Sequence, residues 1–203
     1  MTEGWFPAHL EPMRDRFTAL GLLSAKWNAT EHKFRQFVSS YLGIVDDDAG
    51  PIVLRYFGNT SLTQALVEAA GLRETDDAYR DAINHLAKLF DRCRENRNDV
   101  MHSVVVHSGD LDASRLLKPI SQNTRAAKVF PFALATLLQV IDGFGTCLEF
   151  MYDIDMALQL RRLRGHGGRA LLPRDKPPLP DKLPQPAPEA PRTDRRPPLA
   201  SRK

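Results

Sequence analysis

Two long runs of apolar residues, spaced three or four apart, restrict this chain more than any other feature. In the first, Leu20, Leu23, Trp27, Glu31, Phe34, Val38 and Tyr41 recur with Leu42 beside them. In the second, Leu134, Leu137, Leu138, Ile141, Phe144, Leu148, Met151 and Ile154 form an unbroken stripe. That period belongs to the α-helix. Helices of this length bury such stripes only against one another, which predicts an up-and-down bundle. The first helix is expected over 13–43, with Gly43 as its stop. The last is expected to about residue 163, with Pro131 in its first turn and Gly165 as its end. Between them, Ser61 and Gln64 have the spacing of a capping box and open a short helix that stops at Gly71. Thr75 and Asp76 open another, carrying Tyr79, Ile83, Leu86, Phe90 and Cys93 on one face to about residue 95. The acidic run Asp46-Asp47-Asp48 before Gly50-Pro51 breaks regular structure. Val104-Val105-Val106, the turn Ser108-Gly109-Asp110 and Ser114–Lys118 suggest a β-hairpin. The expected fold is all-α: a bundle of about four helices with a small inserted hairpin, spanning residues 1–164.

The remainder, 165–203, has a different chemistry. Ten of the fifteen prolines fall between Pro173 and Pro198. Residues 161–203 carry 12 basic and 4 acidic side chains, whereas residues 1–160 carry 16 basic and 21 acidic ones. The net charge of +3 therefore conceals an acidic body and a basic tail. With few large apolar residues between its prolines, the tail is expected to be disordered and partly polyproline II. Such a tail can solubilise, hold a polyanion loosely through counterion release, or dock to an acidic or proline-reading partner. An acidic body argues against a broad nucleic-acid-coating surface.

Several function classes are disfavoured. No run of consecutive apolar residues approaches membrane-spanning length. The start lacks the basic and apolar regions of a secretory signal. Two cysteines, Cys93 and Cys147, make neither a disulfide framework nor a zinc knuckle, so a cytoplasmic setting is expected. His9, His32 and His166 have no acidic or thiol neighbours at ligand spacing, so neither a metal nor another cofactor is expected. Asp46–Asp48 reads as a solvated turn, and His85 and His107 as ordinary residues. A Gly-rich phosphate loop and a G-x-S-x-G motif are both missing.

One stretch stands apart, from Arg92 to Ser103, crowded with ionisable and amide side chains and ending in a histidine. Arg97 and His102 are five residues apart, which in an unbroken helix leaves them roughly 140° apart around the axis. Asn96 and Asn98 are poor mid-helix residues because their amides compete for backbone partners. A helix junction is therefore expected here, with Asn98 capping a new turn at Asp99 and bringing Arg97 and His102 together. An unperturbed imidazole exchanges a proton near neutral pH, and a guanidinium forks onto phosphate oxygens. Asn98 could orient either group. Glu31 lies in the apolar stripe of the first helix and needs a partner if buried. Arg97 is the expected one, and the alternative is that Glu31 sits at the stripe's edge in water. On the six residues alone, a charged helix end and a half-buried histidine would also explain Arg97 and His102.

Arg97-Asn98-Asp99-Val100-Met101-His102 resembles the R-x4-H motif of the HEPN superfamily, with the polar residue that typically follows the arginine. The likeness covers roughly residues 10–163. It implies a metal-independent endoribonuclease, a toxin or a defence or stress effector, with Arg97 and His102 catalytic, Asn98 orienting either of them or the ribose, and RNA as a substrate cut by attack of its own 2′-hydroxyl on the adjacent phosphorus. It further implies a homodimer whose two motifs face one cleft, and an antitoxin or regulatory partner. HEPN toxins silenced by a minimal nucleotidyltransferase antitoxin carry a tyrosine two residues after the histidine. Val104 stands there in this chain, so that particular partner is not implied. A different class of function, a non-catalytic helical interaction or regulatory module, also fits the acidic body and proline-rich tail.

Overall fold

The structure, a computed structural model, describes residues 7–44, 54, 56–106, 114–120, 127–164, 172–173 and 175–183. A 3-10 turn (Ala8–Met13) leads into α1 (Arg14–Leu42), which is followed by α2 (Asn59–Arg73) and α3 (Asp77–Met101). Three short strands come next: β1 (Val104–Val106), β2 (Arg115–Pro119) and β3 (Ala127–Pro131). The helix α4 (Leu134–Arg164) completes the bundle. The expected architecture, a helical bundle with a small antiparallel insertion before the last helix, is the one observed.

Local chemistry explains most of the boundaries. Gly43 has φ 75°, and its N–H and that of Ile44 donate back to Ser40 O (3.2 Å) and Ser39 O (3.0 Å). This crossed pair satisfies the orphan carbonyls of α1, and only glycine takes that φ without strain. Asp76 Oδ1 accepts from the Ala78 N–H at 2.9 Å and caps α3. α2 starts at Asn59, ahead of the expected Ser61, and runs through Gly71 to Arg73. The insertion is a meander in the order β1-β2-β3, one strand more than a hairpin. Pro131 pairs with Arg115 at the end of β3 and does not open α4. The meander turns Leu116 and Phe130, which are cross-strand partners, into the core.

α1 packs mainly on α4, and α3 lies against both α2 and α4. Contacts at both ends set the directions. Phe17 meets Phe132 just before α4, while Lys33 pairs with Asp155 and Arg162 reaches Ser40 O near its end. Thus α1 and α4 run in the same sense, which departs from the expected up-and-down order, in which the first and last of four alternating helices would be antiparallel. α3 runs against them, since Tyr79 at its start meets Ala157 O and Arg161, and Arg97 near its end meets Trp27. At the centre, the Phe34 and Phe90 rings stack at 3.8 Å, and Trp27 lies 5.3 Å from Phe90 and 5.5 Å from Phe144. α4 contributes Leu137, Val140, Phe144, Cys147, Met151 and Ile154 to the core, whereas Leu138 faces outward. Among the described residues, α4 is long and apolar enough to cross a membrane by length and composition alone. Its apolar residues are largely those packed into the core, and they raise its average without forming a run of consecutive apolar residues.

The tail expected to be disordered contains a docked stretch. Leu172 packs on the core, Leu183 is buried, and Asp175–Leu183 bonds to the bundle. Two leucines and a row of main-chain carbonyls supply the partners that composition alone did not reveal. The rest of 165–203 lies outside the described residues.

A buried ion pair closes the end of the bundle where α1 and α4 finish. Arg161 forks onto Glu74 (2.6 and 2.9 Å) and lies 4.1 Å over the Tyr79 ring, while the Tyr41 hydroxyl donates to Glu74 Oε1 at 2.9 Å. Burial raises the Glu74 carboxyl, but the hydrogen bonds from Arg161 and Tyr41 outweigh it and hold the group below its ordinary value. Removing the carboxylate strands Arg161 and the tyrosine, so Glu74→Ala should lower stability by about 3 kcal/mol in urea unfolding at pH 7. Because the folded-state pKa is depressed, this contribution is present above the unfolded carboxylate value of about 4.3 and disappears as pH falls through the folded value. The urea midpoint of the wild type should therefore drop more steeply below pH ~4.3 than that of Glu74→Gln.

Candidate active site

α3 does not break at Asn96 or Asn98. It runs unbroken to Met101, and His102 is the residue that caps its end, with φ −99° and ψ 17°. The asparagine amides are engaged away from the helix backbone: Asn96 donates to Asp181 O (2.9 Å) and Asn98 Oδ1 accepts from Arg97 Nη1 (3.0 Å). The competition that was expected to end the helix is thereby removed. The convergence of Arg97 and His102 nevertheless holds. Leaving helical geometry at His102 swings its ring back, and Arg97 Nη1 lies 3.4 Å from His102 Nε2. That is long for a hydrogen bond, and it leaves both groups able to reach a shared anion.

The sheet holds this helix end in place. Asp99 accepts from Lys118 Nζ on β2 at 2.7 Å and has Lys128 of β3 at 3.8 Å. The Ser103 hydroxyl donates to Asp99 O, and Val100 is buried. Asp99 therefore anchors the turn that aims His102, a role the sequence reading did not assign. Its position inside the motif was the only available signal.

Arg97 is shared between two surroundings. On one side it meets the exposed ring of His102. On the other it lines a polar cavity of about 360 Å³ together with Trp27, Glu31, Asn59, Thr60, Arg94 and Asn98. Its guanidinium carbon stands 6.0 Å from the Trp27 ring centre, and its Nε is buried without a hydrogen-bond partner. An orphan buried donor costs about 1–3 kcal/mol, and such costs collect where function constrains geometry. Arg94, one turn before Arg97, lines the same cavity while its Nε donates to Asp91 at 3.1 Å. The i, i+3 spacing of the two arginines could have identified it. His102 is not part of the cavity lining.

Glu31 is not the partner of Arg97. Its Oε2 accepts from the Trp27 indole at 2.9 Å and its Oε1 from Arg35 at 3.2 Å. Arg35 lies one helical turn on, so its guanidinium reaches Glu31 without crossing the cavity. The same arginine also donates to Leu54 O (2.8 Å) and Asn59 Oδ1 (3.0 Å), tying α1 to the start of α2. Glu31 is thus a wall residue that orients the tryptophan.

Elsewhere, His32 pairs with Gln36 at 3.0 Å, and His85 contacts Pro177 O and lies edge-on to Phe150. His107, His166 and Asp46–Asp48 lie outside the described residues. Among the described residues, no three His, Cys, Asp or Glu side chains gather where a metal ion could be held. Cys93 and Cys147 are both buried and free. The Cys93 thiol, and then burial, push the Cys147 thiol well above its ordinary value, so it is not a nucleophile at neutral pH.

Comparisons with family models, with curated proteins and with solved structures find no match to this chain.

The revised role of Glu31 has a measurable consequence. Glu31→Gln keeps an acceptor for the Trp27 indole and removes only a partly exposed charge pair with Arg35. It should cost less than about 1 kcal/mol in urea unfolding. Glu31→Leu leaves the indole N–H unsatisfied and should cost about 1–3 kcal/mol, with a shift in Trp27 fluorescence.

Proposed function

We propose that this protein is a HEPN-like, metal-independent endoribonuclease that acts on RNA as a homodimer, in the manner of a toxin or a defence or stress effector. The observation that carries the reading is the approach of Arg97 Nη1 to within 3.4 Å of His102 Nε2 at the lip of a polar, arginine-lined cavity. The neutral imidazole of His102 takes the proton from a ribose 2′-hydroxyl as its oxygen bonds to the adjacent phosphorus. The bond from phosphorus to the 5′-oxygen breaks, leaving a 2′,3′-cyclic phosphate and a 5′-hydroxyl. The departing oxygen takes its proton from water or from the imidazolium of a second copy's motif. Arg97, charged throughout, offsets the negative charge that builds on the phosphate oxygens. Asn98 holds Arg97 through the 3.0 Å bond to its side-chain oxygen and leaves its amide nitrogen for the ribose. Arg94 extends the cationic wall towards a neighbouring phosphate.

A second reading, a non-catalytic interaction module, is favoured by a different observation: the proline-rich stretch 175–183 is bound along α3 by specific polar contacts.

The two readings separate in one assay. The purified protein should cleave single-stranded RNA in EDTA and leave 2′,3′-cyclic phosphate ends. His102→Ala and Arg97→Ala should each lower the rate by about 10²-fold or more while unfolding at unchanged urea concentrations. Equal cleavage by all three proteins, or cleavage by none, overturns the nuclease assignment.

A further inference from the structure

α3 carries a second row of polar side chains away from the cavity. Asp81, His85, Arg92 and Asn96 are spaced four, seven and four residues apart, which places them on one stripe. Residues 175–183 lie along that stripe without helix or strand. The His85 ring N–H donates to Pro177 O at 2.8 Å, Arg92 to Pro180 O at 3.1 Å and Asn96 to Asp181 O at 2.9 Å. Lys176 pairs with Asp81 at one end, and Lys182 lies 3.5 Å from Glu95 at the other. Across the groove, α4 presents Gly143 to the ring of Pro180. A Cβ on Gly143 would stand 3.1 Å from Pro180 Cγ, so a bare backbone is what admits the ring. Leu183 is buried at the far end.

The spacing has a physical basis. From His85 to Arg92 a helix rises about 10 Å, and three residues of extended proline-rich chain cover about 9 Å. Donors on the helix therefore fall in step with carbonyls on the peptide. Those carbonyls belong to residues that proline holds extended, so little entropy is lost on docking. Main-chain bonds supply affinity, while Pro180, Leu183 and the two flanking lysines supply direction and selectivity. None of these contacts requires the peptide to be joined to α4. The joining residues 165–171 include Gly165, Gly167 and Gly168.

We propose that the groove between α3 and α4 is a recognition site for an extended proline-rich peptide of the pattern Lys-Pro-Pro-x-Pro-Asp-Lys-Leu, and that residues 175–183 are its tethered occupant. A partner protein bearing this pattern binds by displacing the strap. The inference is independent of the cleavage reading, because none of these contacts involves Arg97 or His102.

The test uses the full chain and a fluorescein-labelled peptide with the sequence of residues 175–183. In the wild type the strap competes at a tethered concentration of order millimolar. Leu183→Asp, which releases the strap, should bind the peptide at least about tenfold more tightly than the wild type does. The double charge reversal Lys176→Glu, Lys182→Glu loosens the strap without touching the core, and should act in the same direction even if Leu183→Asp folds poorly. Adding Arg92→Ala to the charge-reversed chain should abolish the gain, and a peptide with its prolines changed to alanine should bind about tenfold more weakly. Equal peptide affinity for the wild type and the charge-reversed chain overturns the proposal, as does no binding to the charge-reversed chain at about 1 mM peptide. Either result would make the strap a fixed part of the fold.

Discussion

The packing of Trp27 against Phe90 and Phe144, with Phe34 stacked on Phe90, is the contact on which both the bundle and the cavity rest. It joins α1, α3 and α4 at one level and sets how α3 is positioned along α1. Each aromatic pair contributes about 0.5–1.5 kcal/mol beyond the area it buries, whereas the exposed ion pairs along the helices contribute about 0–1 kcal/mol each. Register is therefore decided by rings and only trimmed by charges. The same indole has a second task. Its N–H is taken by Glu31, and its face lies beneath the Arg97 guanidinium and forms part of the cavity. A change that shrinks Trp27 would open the core and remove the support under Arg97 together.

The meeting of Arg97 and His102 follows from where α3 stops. Residues five apart diverge on a continuous helix, and they meet here because the later one is the capping residue. Its position is held by the Asp99 carboxylate on the sheet lysines and by the buried Val100. The small sheet thus acts on the site at one remove: it fixes the end of a helix to within a residue. A shift of one position would turn His102 through about 100° and carry it away from the guanidinium.

Much of the fold was legible in the sequence because its determinants are local or periodic. The α1 and α4 stripes, the Gly43 stop and the Asp76 cap each depend on a few neighbouring residues, and the structure shows all of them. What was not legible depends on contacts between distant segments. Asn96 and Asn98 look like helix breakers until their amides find Asp181 O and Arg97. Glu31 looks like a partner for Arg97 until Arg35 and Trp27, on its own helix, prove closer. The third strand was missed because Ala127–Pro131 has little β-pattern of its own and gains its place by pairing with β2. For the site, the sequence identified the pair Arg97 and His102 but not Asp99 or Arg94, whose roles appear only once the sheet and the cavity exist.

The split between an acidic body and a basic tail acquires a structural correlate in the strap. Asp81 and Glu95, both on α3, meet Lys176 and Lys182. Pairs this exposed contribute only about 0–1 kcal/mol each and are screened by salt, so besides helping to hold the strap they orient an incoming chain and disfavour the reverse direction. α3 is consequently a helix with three separate duties. One face is packed into the aromatic core, a second reads extended backbone, and its C-terminal end presents the Arg97 and His102 pair. Asn96 and Arg97 are adjacent in sequence and serve different faces, the strap and the cavity.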